Sequence, residues 1–164
     1  MQETRIAALQ RMPIFGGIRA DVLDFLLERS ATSSVPSGQY FFRESDKAQS
    51  MFVLEAGRVA VLKSWEGEER LLAELGPGDC FGEMALMDLY PRSASVLALE
   101  PCTALELSAD SFFQVYEKDL EQFALIQMNL GREVSRRLRL ADERLFHIKM
   151  GAPHPSAHPS SPLT

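Results

Sequence analysis

Apolar positions in the first 30 residues recur at helical spacing. Two stripes are visible, Ile6, Leu9 and Met12 in the first and Val22, Phe25 and Leu26 in the second. Pro13 ends the first helix, because proline lacks the amide that an inner helical turn needs. Asp21 is placed to cap the second helix. Two helices are therefore predicted before the first strand.

From residue 31 to residue 108 the pattern changes to short apolar runs separated by turn residues. Gly and Pro cluster between the runs, as in Pro36-Ser37-Gly38 and Gly76-Pro77-Gly78. Short strands at this spacing favour an antiparallel jelly-roll barrel or sandwich. The eight predicted strands are Thr32–Val35, Tyr40–Phe42, Met51–Glu55, Arg58–Lys63, Arg70–Leu75, Asp79–Phe81, Ala94–Leu99 and Thr103–Leu107.

Helical spacing returns near the C-terminus. Ser108 or Asp110 starts a helix to about Lys118, and Asp119 caps a long helix, with Gln122 placed to complete a capping box. The apolar or interface-like positions of the long helix then recur at gaps of three and four, with one stutter near Leu138. Such a seam predicts a parallel homodimer, and the alternative is that it packs on its own barrel. The seam consists of Leu120, Phe123, Gln127, Leu130, Val134, Leu138, Ala141, Leu145 and Ile148.

Arginines give the same helix a basic side, which we interpret as a solvated face; the alternative is a face that contacts phosphates. They are Arg132, Arg136, Arg137, Arg139 and Arg144. Glu133 precedes Arg137 by four residues, a spacing that allows an ion pair.

Residues 81–96, here called the cassette, combine a turn, a very short helix from Met84 to Leu89, a second turn at Pro91 and a strand. The amides that begin a helix are without helical partners and favour anions. Arg92 offers a planar fork of donors suited to a phosphate, and Glu83 is suited to accept hydrogen bonds from sugar hydroxyls. The cassette thus predicts a nucleotide pocket, the alternative being an edge turn with a solvated Glu and Arg.

The run Phe81-Gly82-Glu83-Met84-Ala85-Leu86, followed by Pro91-Arg92-Ser93-Ala94, resembles the phosphate-binding cassette of cyclic-nucleotide-binding domains of the catabolite activator and protein kinase A regulatory subunit type. The resemblance covers roughly residues 9 to 145. It implies a double-stranded β-helix with flanking helices, in which Gly82 allows close approach and Glu83 binds the ribose 2′-hydroxyl. Arg92 and the amides of Met84, Ala85 and Ser93 would bind the cyclic phosphate. Val61 and Leu72 match strand positions that wall the base, although both also suit an ordinary core.

The identity of the base is less well determined by the resemblance. The hydroxyl of Ser93 can reach the amino group of a syn guanine, yet cAMP-binding members also carry serine here. Ala141 and Asp142 stand where the catabolite-activator type presents two hydroxyls to the base. Family frequency favours cAMP over cGMP as the ligand, and no other cofactor is expected.

The predicted organisation has four parts: N-terminal helices at 1–30, a jelly-roll barrel at 31–109, lid and dimerisation helices at 110–149, and a disordered tail at 150–164. The tail is too short for the helix-turn-helix or other reader that the family often carries. We therefore expect a free-standing sensor, or a piece of a larger protein, that signals to an unidentified effector protein. His154 and His158 are interpreted as tail residues.

Composition and charge narrow the function. The chain of 164 residues has a net charge of -6, which argues against direct DNA binding, and it lacks an apolar run long enough to cross a bilayer. Cys80 and Cys102 are interpreted as buried, reduced thiols of a cytoplasmic protein. All three histidines lie beyond the barrel, which excludes a metal cupin, and no nucleophile–histidine pair or Walker loop predicts an enzyme. The function expected is a ligand-controlled regulatory switch, with a ligand-free dimerisation or assembly module as the alternative.

Overall fold

The computed structural model describes residues 2–151. They fall into two compact units that divide between Leu130 and Gly131, inside the last helix. The helices are α1 (Gln2–Gln10), α2 (Ala20–Glu28), α3 (Met84–Asp88), α4 (Ala109–Lys118) and α5 (Leu120–Met150), with a 3-10 turn at Pro13–Phe15. The strands are β1 (Ala31–Val35), β2 (Tyr40–Phe42), β3 (Ser50–Ala56), β4 (Val59–Trp65), β5 (Glu68–Leu75), β6 (Cys80–Phe81), β7 (Ser95–Ala98) and β8 (Cys102–Ser108).

The strands form an antiparallel sandwich of two four-stranded sheets, with orders β1-β8-β3-β6 and β2-β7-β4-β5. The predicted fold class is confirmed, and all eight predicted strands are present with ends that differ by at most two residues. Two apolar cores result. The core between the sheets contains Phe52, Leu54, Val59, Phe81, Val96, Ala98, Cys102 and Ala104.

The second core, here called the helix-side core, lies between the outer face of the first sheet and the helices, and the core between the sheets is called the inner core. Met51 and Val53 of β3 belong to this core, whereas Phe52 and Leu54 belong to the inner one. Because successive side chains of a strand point to opposite faces, a strand covered on both sides reads as one continuous apolar run. Leu9, Phe15, Val22 and Leu26 cover this face from the N-terminal side.

Two predicted helix starts need correction. Asp21 does not cap α2: the capping position is Arg19, and Asp21 lies in the first turn, where its carboxylate pairs with Arg19 at 3.0 Å. The capping box at α5 is only half formed. Asp119 Oδ1 accepts from the Gln122 amide at 3.1 Å, but the Gln122 side chain accepts from the Arg19 amide at 2.8 Å. At α4, Ser108 rather than Asp110 is the cap, in a capping box with Ser111.

The seam of α5 behaves differently in the two units. In the first unit, Leu130 is buried in the helix-side core and Phe123 packs against it, whereas Leu120, at the start of the seam, is 59% exposed. In the second unit, Leu138, Leu145 and Ile148 are 60%, 51% and 75% exposed. The alternative of packing on the barrel therefore holds for Phe123 and Leu130, while no described residue buries Leu138, Leu145 or Ile148.

The second unit, from Gly131 onward, is described here as far as residue 151. Within it, Glu133 pairs with Arg136 at 2.5 Å and with Arg137 at 3.4 Å, which confirms the predicted i,i+4 ion pair. The predicted disorder of the tail falls, from residue 152, outside the described residues. Among those that are described, no helix combines the length and apolar character that crossing a bilayer requires.

Candidate functional site

The cassette begins as predicted and its helix ends one residue early. Strand β6 leads into Gly82 and Glu83, and α3 follows directly. The helix stops at Asp88 because Leu89 adopts a left-handed φ of 60°, and Asp88 Oδ1 accepts from the Tyr90 amide at 3.0 Å. The chain thereby reverses and brings Arg92 back to Gly82.

Gly82 is the point at which backbone and guanidinium meet. Arg92 Nη1 donates to the Gly82 carbonyl at 3.0 Å. Gly82 has a φ of +77°, and a Cβ placed on it would lie 2.5 Å from Arg92 Nη1 and 3.3 Å from Phe42 Cε1. Both its backbone conformation and the close approach of Arg92 therefore require glycine here.

Arg92 is a buried cation whose hydrogen-bonding capacity is not filled. It is 6% exposed, and its guanidinium carbon lies 4.0 Å from the centre of the Phe42 ring. Its Nε is buried with no hydrogen-bond partner, and none of the carboxylates that the structure describes forms an ion pair with it. Burial lowers the pKa of Arg92, and the charges of Glu106, Asp46 and Glu83 oppose that shift. A buried guanidinium with an unused donor is suited to bind an anion.

The nearby carboxylates belong to the same site but do not neutralise Arg92 by contact. Glu83 is also 6% exposed, and its charge acts on Arg92. Glu106 accepts hydrogen bonds from Ser50 Oγ at 2.8 Å and Ser33 Oγ at 3.2 Å. Glu83 and Arg92 thus converge in one buried environment, rather than turning into solvent as the alternative of an edge turn requires.

Comparison with known proteins agrees with this geometry. The family model described as cyclic nucleotide-binding domain matches residues 32–119, more than half of the chain. The chain belongs to the cyclic nucleotide-binding domain family. The match contains both halves of the cassette and every strand of the sandwich except part of β1.

Individual relatives agree with this family assignment. The cyclic AMP receptor protein of Thermus thermophilus is 34% identical over 134 residues, which are 81% of this chain and 60% of that protein. The crystal structure of the Thermus thermophilus catabolite activator protein superposes with a TM-score of 0.73 at 33% identity, covering 84% of this chain and 63% of that one. The regulatory domain of Toxoplasma gondii PKA, crystallised with cAMP, has a TM-score of 0.63 at 27% identity over 70% of this chain and 44% of that one. The chain therefore spans about 60% of the length of the curated relative.

The two predicted base-wall residues lie on neighbouring strands of the second sheet. Val61 on β4 packs against the inner core, opposite Val96 of β7. Leu72 on β5 is 49% exposed. The β4–β5 register shifts here, with Val61 opposite Ala73 and Leu62 opposite Leu71, so Leu72 is the extra residue of a β-bulge. Bulges re-aim side chains beside binding sites.

The remaining predicted site residues lie close to Arg92 and α3. Met84 and Ala85 begin α3, where the first amides have no partner within the helix. Ser93 follows Arg92, and its hydroxyl lies 3.8 Å from Met84 Sδ. Ala141 and Asp142, considered in relation to the base, are exposed in the second unit.

The sequence reasoning missed the loop that holds Arg92. The Ser45 amide donates to Arg92 O at 2.8 Å, and the Arg92 amide donates to Asp46 O at 2.9 Å. The Glu44 amide donates to Ser95 Oγ at 2.8 Å. These contacts join residues about fifty positions apart, and no local pattern reports them. The polar run Arg43-Glu44-Ser45-Asp46 between two apolar strands was the only available signal.

Proposed function

We propose that the chain is a sensor that binds a cyclic nucleotide in the cassette and changes conformation in response. The observation that carries the proposal is the buried Arg92, which has an unused Nε donor and forms no ion pair with a carboxylate of residues 2–151. A cyclic phosphate supplies the single negative charge and the acceptor oxygens that this guanidinium lacks. The amides of Met84, Ala85 and Ser93 complete the phosphate site.

In this proposal Glu83 binds the ribose 2′-hydroxyl, and Val61 and Leu72 enclose the base. cAMP is favoured over cGMP, because the similar Thermus thermophilus protein is named a cyclic AMP receptor and the similar Toxoplasma gondii domain was crystallised with cAMP. The half-exposed Leu72 offers apolar surface that a purine would cover. Titration with cAMP and with cGMP measures the difference in affinity between the two nucleotides.

Helix α3 provides a route from the ligand to the later helices. Leu86 and Met87 line one wall of an apolar groove of about 720 Å³, and the other walls come from α4 and the first turns of α5, with Phe113, Tyr116 and Phe123. A ligand that repositions α3 therefore changes the surface on which these helices pack. The nucleotide's higher affinity for one arrangement supplies the free energy of the switch.

The response then passes to a partner. We propose a parallel homodimer through the uncovered part of the α5 seam, Leu138, Leu145 and Ile148, since these exposed side chains recur on one helix face. An effector protein in the cytoplasm would respond to the changed conformation of these helices. The proposal gives the chain no catalytic step and assigns no DNA contact to the described residues, which agrees with a net charge of -6.

A thermal-shift titration with cAMP, cGMP and cyclic di-GMP tests the proposal against a ligand-free assembly module. We expect the midpoint of unfolding to rise with cAMP concentration. Calorimetry on Arg92→Ala should show a loss of about 2–5 kcal/mol of binding free energy, because a desolvated phosphate loses its counter-charge. Arg11→Ala, which removes an exposed arginine of the N-terminal region, is the matched control. Binding by Arg92→Ala within threefold of the control contradicts the proposal.

A further inference from the structure

Ser93 is held between two fixed peptide planes. On its N-terminal side, Arg92 O accepts from the Ser45 amide at 2.8 Å. On its C-terminal side, Ser93 O accepts from Lys63 Nζ at 2.6 Å. Because a peptide unit is rigid and planar, the two hydrogen bonds together fix the direction in which the Ser93 side chain leaves the backbone.

The Lys63 ammonium that holds the second plane is itself fixed. Its Nζ lies 2.8 Å from Glu44 Oε1, and Glu44 Oε2 accepts from the Ser64 amide at 3.0 Å. The hydrogen bond from Lys63, with that from the Ser64 amide, holds the pKa of the Glu44 carboxyl below its ordinary value, so Glu44 is ionised at neutral pH. Glu44, Lys63 and Ser93 therefore form one chain of contacts across the β2–β3 loop, β4 and the cassette.

This chain of contacts fixes the Cα–Cβ bond of Ser93, from which the hydroxyl extends. The hydroxyl lies 3.8 Å from Met84 Sδ, at the start of α3, where the proposed phosphate amides begin. Strand β4 also carries Val61 two residues before Lys63, on the same face of the sheet. Lys63 thus connects β4, the strand of Val61, to the cassette, and its ammonium is paired with Glu44 and the Ser93 carbonyl.

We infer that Lys63 is a positioning residue for nucleotide binding: it orients the Ser93 hydroxyl toward the cyclic phosphate without contacting the ligand, and Glu44 holds it in place. The inference rests on the proposed function. It separates two contributions of Ser93: its amide lies in the Arg92–Ser93 peptide held by Ser45, whereas the position of its hydroxyl also depends on the Ser93–Ala94 peptide held by Lys63.

Calorimetric titration of the full chain with cAMP tests the inference. Lys63→Met keeps the length of the side chain but removes the donor, and we expect about tenfold weaker binding, since the bond is charge-assisted but half exposed. Lys63→Arg restores the donor and should bind within about threefold of wild type. The control is Arg70→Met: Arg70 lies opposite Lys63 on β5, is 69% exposed, and its loss changes the net charge equally. We expect it to bind as wild type does.

A double-mutant cycle separates positioning from direct contact. In a Ser93→Ala background no hydroxyl remains to be oriented, so adding Lys63→Met should cost little further affinity. Fully additive losses would show that Lys63 acts on the ligand directly and would overturn the inference. Wild-type affinity in Lys63→Met would overturn it as well, while leaving the proposed function intact. Absence of cAMP binding by the wild-type chain would overturn the proposed function itself.

Discussion

Replacing Gly82 with alanine tests whether the close approach of Arg92 to the backbone creates the anion site. The added Cβ would lie 2.5 Å from Arg92 Nη1 and 3.3 Å from Phe42 Cε1, at a φ of +77°. The guanidinium cannot stay where it is, so it must give up its hydrogen bond to the Gly82 carbonyl or its position over the Phe42 ring. The change therefore reaches the phosphate site without altering any charged residue.

Two terms set the expected size of the effect on stability. A left-handed alanine costs about 1–2 kcal/mol relative to glycine, of which about 0.4–1 kcal/mol is offset because alanine restricts the unfolded chain. Crowding Arg92 and Phe42 adds about 1–3 kcal/mol. The free energy of unfolding should therefore fall by about 1–5 kcal/mol.

The effect on binding should be larger than this strain alone explains. A displaced guanidinium loses its contact with the phosphate, which is worth about 2–5 kcal/mol, or at least about thirtyfold in affinity. Gly38→Ala is the matched control, since Gly38 has a φ of +83° and nothing within 4 Å of an added Cβ. It carries the same backbone strain without the clash, so it should lose stability and keep its affinity.

Calorimetric titration with cAMP and chemical unfolding of both variants measure the two effects separately. If Gly82→Ala, still folded, binds cAMP within threefold of Gly38→Ala, the idea that the Gly82–Arg92 contact builds the site is refuted.

Three further predictions concern other parts of the chain. Ser45 has a φ of 75°, so Ser45→Gly should raise the free energy of unfolding by about 0.5 kcal/mol. A melting temperature below that of wild type would contradict this prediction. Ser45→Ala, which keeps the backbone strain, is the control. Leu145→Glu, at a 51% exposed seam position, should shift sedimentation from dimer to monomer, whereas Leu140→Glu, 41% exposed and off the seam, should leave the dimer intact. The hydrogen bond from Arg136 and the charge of Arg137 lower the pKa of Glu133 below its ordinary 4.5. The stabilisation from these ion pairs is therefore complete above pH 4.5 and is lost as the pH falls through the lowered pKa of Glu133. Circular dichroism should show that acid removes helix more steeply in wild type than in Glu133→Gln. Equal slopes in the two proteins would contradict the prediction.

The parts of the fold that sequence predicts are those set by local patterns. The run Met51-Phe52-Val53-Leu54 is apolar at every position, and its two alternating faces serve two cores, so a strand was evident although its orientation was not. The prediction that Asp21 caps α2 was wrong, because residue type alone does not determine the backbone angles. The helix begins after Arg19, whose amide donates to the side chain of the distant Gln122. Helical spacing identified the α5 seam, but the spacing alone could not tell which part the barrel covers.

The candidate site divides in the same way. Gly82, Glu83 and Arg92 could be found because they belong to one nearly contiguous run with a known resemblance. Glu44 and Lys63 could not, because each is an ordinary charged residue at the end of a strand. Only the sandwich, by pairing β4 with β7 and placing the β2–β3 loop beside them, brings both to Ser93.

The most direct test of the account is a crystal structure of the chain grown with saturating cAMP. The account predicts the cyclic phosphate within hydrogen-bond distance of the Arg92 guanidinium, including its Nε, and the ribose 2′-hydroxyl on the Glu83 carboxylate. A nucleotide whose phosphate lies away from Arg92, or crystals in which the cassette holds no nucleotide at saturating concentration, would contradict it.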